Sequence, residues 1–316
     1  MRAAVVVPNW NGVRWLPGLL DSLAAQTRPA DEIVVVDNGS TDGSLELLGE
    51  RGVRTVSLSR NTGFAHAANR GIEAVSADAV ALVNTDVELE PDWLARALAP
   101  LADPAVGSVA TKMVLLDDPD VLDDAGDELR RDGVAHQRGH GKRDDGRFAV
   151  PGEAFSACAG AAVYRRAAVM EAGGFDERLF SYLEDVDLGL RLRLAGWRCA
   201  YVPAVARHAR HGSSGQLDRA VDAWVARNTV LLVAKAFPLR WIWPVAYRQL
   251  SWTREAAREG RLGEHLRGLA MALPLLPAML RERRRLRAAA AMPIEAVVPP
   301  LPWHGPQAGG HPSSSY

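Results

Sequence analysis

Short Val- and Ala-rich runs alternate with segments of helical periodicity along the first 83 residues, and this rhythm constrains the 316-residue chain more than any other feature. Residues 3–8 (AAVVVP) and 32–37 (EIVVVD) have the pattern of strands covered on both faces, as in a parallel sheet. Between them Leu16, Leu19, Leu20 and Leu23 recur at helical spacing within residues 15–26. The alternation continues with a helix from about Ser44 to Arg51 and a strand from Arg54 to Ser59. A helix from Gly63 to Ser76 and a strand from Ala79 to Val83 complete it. Such an order predicts a doubly wound α/β sheet.

Ligands of such sheets sit beyond the carboxyl ends of the strands, so the loops there carry the chemistry. They read Pro8-Asn9-Trp10-Asn11-Gly12, Asp37-Asn38-Gly39-Ser40-Thr41-Asp42, Asn61-Thr62-Gly63-Phe64 and Asn84-Thr85-Asp86. None is G-x-G-x-x-G or G-x-x-x-x-G-K-[ST], which removes the main support for dinucleotide binding and for NTP hydrolysis. Turn formation and helix capping account for each loop taken alone. Four polar loops at one sheet edge point instead to a polar ligand. Asp37, at a strand end, suits a hydrogen bond from a base or ribose, and Asp86 suits a hard divalent cation bound through oxygen.

Two cysteines, Cys158 and Cys199, without C-x-x-C spacing, exclude a disulfide framework and give no sign of structural zinc, so a reducing cytoplasmic compartment is expected. The start, MRAAVVVPNW, reads as a mature first strand rather than a signal peptide. Charge is unevenly spread. Residues 1–238 hold 26 Lys+Arg against 33 Asp+Glu (net −7), and residues 239–290 hold 11 against 4 (net +7). The expected organisation is therefore an acidic α/β domain over residues 1–238, a basic helical extension over 239–290 and a disordered, Pro-, Gly- and Ser-rich tail over 291–316.

The successive segments VVVPNWNG, VVVDNGSTDGS, NTGFAHAANRGI, LVNTDVEL and GGFDERLFSYLEDVDLGLRLRLAGW resemble, in content and order, the motifs of the family 2 glycosyltransferases. The likeness is strongest to the bacterial rhamnosyltransferase-like members and extends from Ala3 to about Pro238. It implies the GT-A fold: a mixed, mostly parallel doubly wound sheet flanked by helices, here with a C-terminal helical extension. It also implies an inverting, metal-dependent transfer of a sugar from a nucleotide-diphosphate donor, with dTDP-rhamnose the first donor to test. The acceptor implied is a hydroxyl of a cell-envelope or polysaccharide glycan, lipid-linked.

By the same resemblance the donor nucleotide falls to Pro8, Asn9, Asp37, Asn38, Asn61, Gly63 and Asn84. The D-x-D metal motif falls on Asn84-Thr85-Asp86, where the first carboxylate is missing, leaving Asp86 to hold Mg2+ or Mn2+. His208, which closes the run Tyr201–Arg207, is the implied further metal ligand, with His211 close enough to compete for the assignment. Glu184-Asp185 matches the acidic motif in which Asp185 is the general base. Leu188, Leu190, Leu192 and Leu194 place a helix start near Asp185, where a carboxylate is expected to stay ionised; capping of that helix is the competing reading.

Other segments leave alternatives open. The small-residue stretch 154–162 suits either close approach of a ligand or tight packing. Residues 117–150 are charged and poorly periodic, the text of a mobile loop or hairpin. Arg227 can reach a phosphate or pair with Asp222 or Asp218.

In the extension, the apolar run 268–280 is 13 residues long and interrupted by Pro274 and Pro277, too short for the roughly 20 residues a membrane span needs. Trp241, Trp243, Tyr247 and Trp252 before it, and Arg281, Arg283, Arg284, Arg285 and Arg287 after it, suit an anionic membrane surface. A hairpin packed on the main domain is the alternative. The expected location is the inner face of the cell membrane, held peripherally. Nucleic acid is not an expected partner, since the main body is acidic. The rival functional reading is a catalytically silent relative that binds nucleotide sugars or glycans. A nucleotidyltransferase is disfavoured because PNWNGVRW is not a Gly-rich loop ending in a basic residue.

Overall fold

The structure is a computed structural model that describes residues 1–209 and 218–300. Its first half alternates as the Val-rich runs predict. The elements are β1 (Ala3–Asn9), α1 (Leu16–Ala24), β2 (Glu32–Asp37), α2 (Ser44–Glu50), β3 (Thr55–Ser57), α3 (Phe64–Ala74) and β4 (Ala79–Val83). They are followed by β5 (Val87–Leu89), α4 (Trp93–Leu98), β6 (Val106–Leu115), β7 (Leu122–Asp124), β8 (Asp127–Leu129), β9 (Ala135–Gln137) and β10 (Gly152–Glu153). Then come β11 (Ala161–Arg165), α5 (Arg166–Glu171), α6 (Glu184–Leu194), β12 (Arg198–His208) and α7 (Asp218–Ala236). The chain ends in α8 (Ile242–Arg258), α9 (Leu262–Ala272), α10 (Leu276–Ala289) and α11 (Ile294–Val297).

The main sheet runs β10-β12-β6-β11-β4-β1-β2-β3, with β5 added beside β12 and β7 beside β6. β3, β2, β1 and β4 are mutually parallel, as are β6 and β12, while β11 lies antiparallel between β4 and β6. Alternate residues of β1 enter different cores. Val5 and Val7 meet α1 and α4 through Leu16, Leu19 and Trp93, and Ala4 and Val6 meet α3 and α6 through Ala68, Ile72 and Leu188. Both faces are therefore covered by helices, and the carboxyl ends of β1, β2 and β4 open on one edge.

The C-terminal helices pack on this sheet domain. α6 turns Val186, Leu190 and Leu194 towards Leu232, Phe237, Trp241 and Val245, and Leu179 meets Leu231, Ala272 and Met279. Two of the four aromatic residues expected at a membrane, Trp241 and Trp252, are core residues, whereas Trp243 and Tyr247 are exposed. No helix among the described residues is long and apolar enough to cross a membrane. One expectation is corrected: residues 291–300, assigned to a disordered tail, include α11, and Val297 and Val298 are buried against the α6–α7 core. The apolar pair offsets the Pro-rich composition that suggested disorder. Residues 301–316 lie outside the described residues.

Candidate active site

The loops at the sheet edge are tied to one another by their own polar side chains. Asn9 Nδ2 donates to Asp37 Oδ1 at 2.8 Å and to Ser40 Oγ at 3.1 Å, joining the first loop to the second. Asp37 Oδ2 accepts from the Ser40 amide. Asn38 Nδ2 donates to Asn61 Oδ1 and to the Gly63 carbonyl, and Asn38 Oδ1 accepts from Thr62 N and Oγ1, joining the second loop to the third. Thr85 Oγ1 donates to the Pro8 carbonyl and Asn9 Oδ1, joining the fourth loop to the first. Asn84 N donates to the Gly160 carbonyl at 2.8 Å, which brings in the small-residue stretch.

Pro8, Asn9, Asp37, Asn38, Asn61, Gly63 and Asn84 thus share one edge. Asn9, Asp37 and Asn38 are buried, with Asp37 at 0% exposure, so their side chains brace the loops, while Pro8, Asn61 and Asn84 are half-buried. Gly63 is required twice over. Its φ is +88°, and a Cβ there would stand 2.5 Å from the Phe180 carbonyl oxygen.

Asp86 and His208 come together across the β5–β12 pair. His208 Nε2 lies 3.4 Å from Asp86 Oδ2, and His208 Nδ1 is 2.8 Å from Asp123 Oδ2. Asp123, in β7, belongs to the charged stretch whose pattern predicts only a loop or hairpin. Burial works against a charged imidazole here, but Asp86 and Asp123 outweigh it and push His208 up to about 10. His211 lies outside the described residues.

Glu184 and Asp185 open α6. Asp185 Oδ2 accepts from Ala159 N at 3.0 Å and Oδ1 from Val186 N at 2.8 Å. The small-residue stretch therefore holds the acidic motif. Burial pushes the Asp185 pKa up, and the backbone amides at this helix start offset part of that. Glu184 is pushed well above the usual carboxylate range by burial and by the charge of Asp185, and its Oε2 has no hydrogen-bond partner. Asp187, in the same turn, is structural: it pairs with Arg191 and Lys235.

The approach to this helix is strained. Phe180, Tyr182 and Leu183 have φ of 63°, 70° and 66°. Each such left-handed non-glycine residue costs on the order of 1–2 kcal/mol. Further acidic groups stand close by. Asp124, pushed up to about 8 by burial and by the charges of Asp123 and Asp185, and Asp127, raised mainly by burial, both feel Asp185. Sequence reasoning missed these carboxylates; the readable signal was the run Leu122–Asp127, where Asp residues interleave with Leu, Ala and Gly. The Arg227 guanidinium is buried and donates to the carbonyls of Arg178 and Leu179, while Asp222 pairs with Arg261 and the Asp218 side chain lies outside the described residues.

Residues 4–173 match the family model described as "Glycosyl transferase family 2". An N-acetylglucosaminyl-diphospho-decaprenol L-rhamnosyltransferase of Mycobacterium tuberculosis is 30% identical over 273 residues, covering 75% of this chain and 87% of the relative. A protein of Sinorhizobium fredii described as uncharacterized is 29% identical over 238 residues; the match covers 68% of this chain but only 25% of that longer protein. Among solved structures, GalNAc-T7 with UDP, GalNAc and Mn2+ superposes with a TM-score of 0.61 at 17% identity, covering 76% of this chain and 48% of that one. A mannosyltransferase from Pyrobaculum calidifontis in complex with GDP-Man and Mn2+ gives 0.55 at 22% identity, covering 91% and 85%. At these identities the structural likeness speaks for the fold alone.

Proposed function

The chain belongs to glycosyl transferase family 2 and is a glycosyltransferase, and from that premise we propose that it moves rhamnose from dTDP-rhamnose to a hydroxyl of a lipid-linked cell-envelope glycan, inverting the anomeric centre. One observation carries the reading: Asp185 is gripped by Ala159 N and Val186 N, and the residue after Ala159, Gly160, accepts from Asn84 N of the loop edge that Asn9, Asp37 and Asn38 lock together. The rhamnosyl donor and lipid-linked acceptor are supported by the name of the mycobacterial relative.

In this reading Asp185 takes the proton of the acceptor hydroxyl. Burial raises its pKa above the ordinary carboxylate value, which makes it a stronger base than a solvated aspartate. Burial and the neighbouring charge of Asp185 raise Glu184 well above the usual carboxylate range, which favours its neutral form beside the base. Pro8, Asn61, Gly63 and Asn84 line the nucleotide cleft, and Asn9, Asp37 and Asn38 fix its shape. The edge of the small-residue stretch at Gly160 admits the sugar close to backbone.

The donor set at Asp86 and His208 fits a divalent cation. Hydrogen bonding of His208 Nδ1 to Asp123 leaves Nε2 directed at Asp86, the arrangement by which a carboxylate orients a metal-binding imidazole. Among the described residues no group of three His, Cys, Asp or Glu side chains is poised as a complete metal site, so two protein ligands leave positions for phosphate oxygens and water. Mg2+ or Mn2+ bound there would neutralise the diphosphate leaving group. Asp86 and His208 would hold it, and Asp123 would orient His208.

The test is a panel of dTDP-rhamnose, UDP-glucose, UDP-galactose, UDP-N-acetylglucosamine and GDP-mannose with Mn2+, Mg2+ or EDTA and a membrane lipid extract as acceptor. Transfer of rhamnose into the lipid fraction, lost with EDTA, is expected. Asp185→Asn should abolish transfer and still bind dTDP, and Asp86→Ala should weaken metal-dependent dTDP binding. Turnover of another donor would move the specificity, and unaltered turnover in Asp185→Asn would remove the base assignment. A silent nucleotide-sugar-binding relative predicts dTDP binding with no transfer from any donor.

A further inference from the structure

Asp185 follows three left-handed non-glycine residues within four positions, and nothing in residues 180–183 themselves explains why the backbone stays there. The explanation lies on α7, far along the chain. Asn228 is fully buried, and its Nδ2 lies 2.9, 2.9 and 2.7 Å from the carbonyl oxygens of Leu179, Ser181 and Tyr182. Asn228 Oδ1 accepts from Arg227 Nε, and Arg227 Nη2 donates to the carbonyls of Arg178 and Leu179. Trp224, one turn earlier, packs on Phe180 at 5.1 Å between ring centroids and stacks on Tyr182 at 6.2 Å. Trp224, Arg227 and Asn228 are spaced i, i+3, i+4, so one face of α7 holds the whole loop.

We propose that Asn228, supported by Arg227 and Trp224, is a positioning residue for the transfer reaction: it pins the strained 180–183 backbone and so aims Asp185 at the acceptor. This rests on the reading of Asp185 as base. The loop is constrained from the other side too. Ala65 N donates to the Phe180 carbonyl at 3.0 Å, and Gly63 leaves no room for a Cβ against Phe180. The segment that α7 grips therefore touches the third nucleotide loop at one end and carries Glu184-Asp185 at the other, setting the distance between donor cleft and base. A side chain buried this fully, with its amide spent on carbonyls outside its own helix, is placed for the loop and not for α7, whose backbone bonds are intrahelical.

The full-length Asn228→Ala variant tests this in two ways. Hydrogen exchange in peptides spanning 179–187 should rise about tenfold or more while β1 and β4 stay protected. With the donor that turns over in the panel, kcat should fall by roughly 100-fold, the cost of a misplacement near 1 Å, while the KM for donor and the Kd for dTDP change by less than about twofold. Unchanged exchange, unchanged kcat, or loss of dTDP binding in parallel with kcat would each overturn the proposal. Should Asn228→Ala fail to fold, Arg227→Lys and Trp224→Phe are milder lesions on the same face and are read by the same two measurements. Asp185→Asn separates the two claims. If it is inactive while Asn228→Ala is fully active, only the positioning role falls; if Asp185→Asn is active, the base assignment falls and takes the positioning role with it.

Discussion

At the scale of single residues, this site runs on carboxylates whose neighbours decide their charge. Asp124 is 1% exposed, its Oδ1 accepts from Gly126 N, and its Oδ2 has no partner. Burial, then the charges of Asp123 and Asp185, push it up to about 8 against an ordinary value of 3.8. Between those two values the folded chain holds a proton that the unfolded chain has released. Its contribution to stability therefore falls as pH rises through that window, by up to roughly 1.4 kcal/mol per pH unit for one full proton. Asn at this position keeps the acceptor for Gly126 N and has nothing to ionise. Asp124→Asn should therefore melt close to the parent at pH 4 and progressively above it towards pH 8, read from thermal melts across that range. A constant offset would mean that Asp124 stays ionised in the fold. In the text of residues 117–150 only the interleaving of Asp with Leu, Ala and Gly over 122–127 hints at this, because the charge density around it resembles a solvated loop unless the tertiary burial is known.

At the scale of elements, α7 ties the two parts of the molecule together. Besides the face that grips residues 178–182, it carries Lys235, whose Nζ is buried between Asp176 Oδ2 at 2.8 Å and Asp187 Oδ1 at 2.7 Å. Burial alone would raise Asp176, but Arg178 and Lys235 hold it well below the usual carboxylate range. Its contribution is therefore present at neutral pH and is lost as pH falls below about 4. Lys235→Met removes the shared cation and leaves each carboxylate with one arginine. Removing one partner of a buried pair costs about 3–5 kcal/mol, and the remaining Arg178 and Arg191 argue for the lower end, about 3 kcal/mol. Urea unfolding at pH 7 would measure it; a loss under about 1 kcal/mol would mean that the arginines satisfy both carboxylates. The leucine spacing of α6 announced a helix, and the start near Asp185 was legible within one residue. That its first turn is aimed by a helix more than 30 residues later was not, since no local pattern encodes the partner of a carbonyl.

At the scale of the molecule, the extension is both a packed part of the core and an exposed surface. α8 buries Val245, Trp252 and Ala256, while Ile242, Trp243, Tyr247 and Leu250 lie exposed on another face of the same helix, with Leu239 just before it. Trp243 is 79% exposed, an unusual position for so large an apolar ring. Arg281, Arg284, Arg285 and Arg287 of α10 are also exposed, in keeping with the basic character of residues 239–290. If the extension meets an anionic membrane, the exposed face of α8 is the part that would lie in it. Trp243→Ser with Tyr247→Ser should reduce flotation with vesicles containing anionic lipid by about tenfold and leave thermal stability within about 2 °C, since neither side chain is buried. Equal flotation of the double variant would assign the exposed face to another role.

The sequence by itself determined the parallel half of the sheet, its carboxyl edge and the loops on it. Those depend on side-chain periodicity and turn chemistry, which are local and repeat within a few residues. It also carried the family, because five segments in one order are a long-range signal written in identity and not in shape. Only the tertiary structure decided which polar groups meet. It brought Asp123 of β7 to His208 of β12, Ala159 to Asp185, and Asn228 of α7 to the backbone before Glu184. It also split the aromatic residues of the extension into core and surface, which their spacing left open. The physical reason is the same in each case: burial and hydrogen-bond partnership are properties of pairs distant in the chain, and a carboxylate, an amide or a tryptophan has the same text whether it faces water or another side chain.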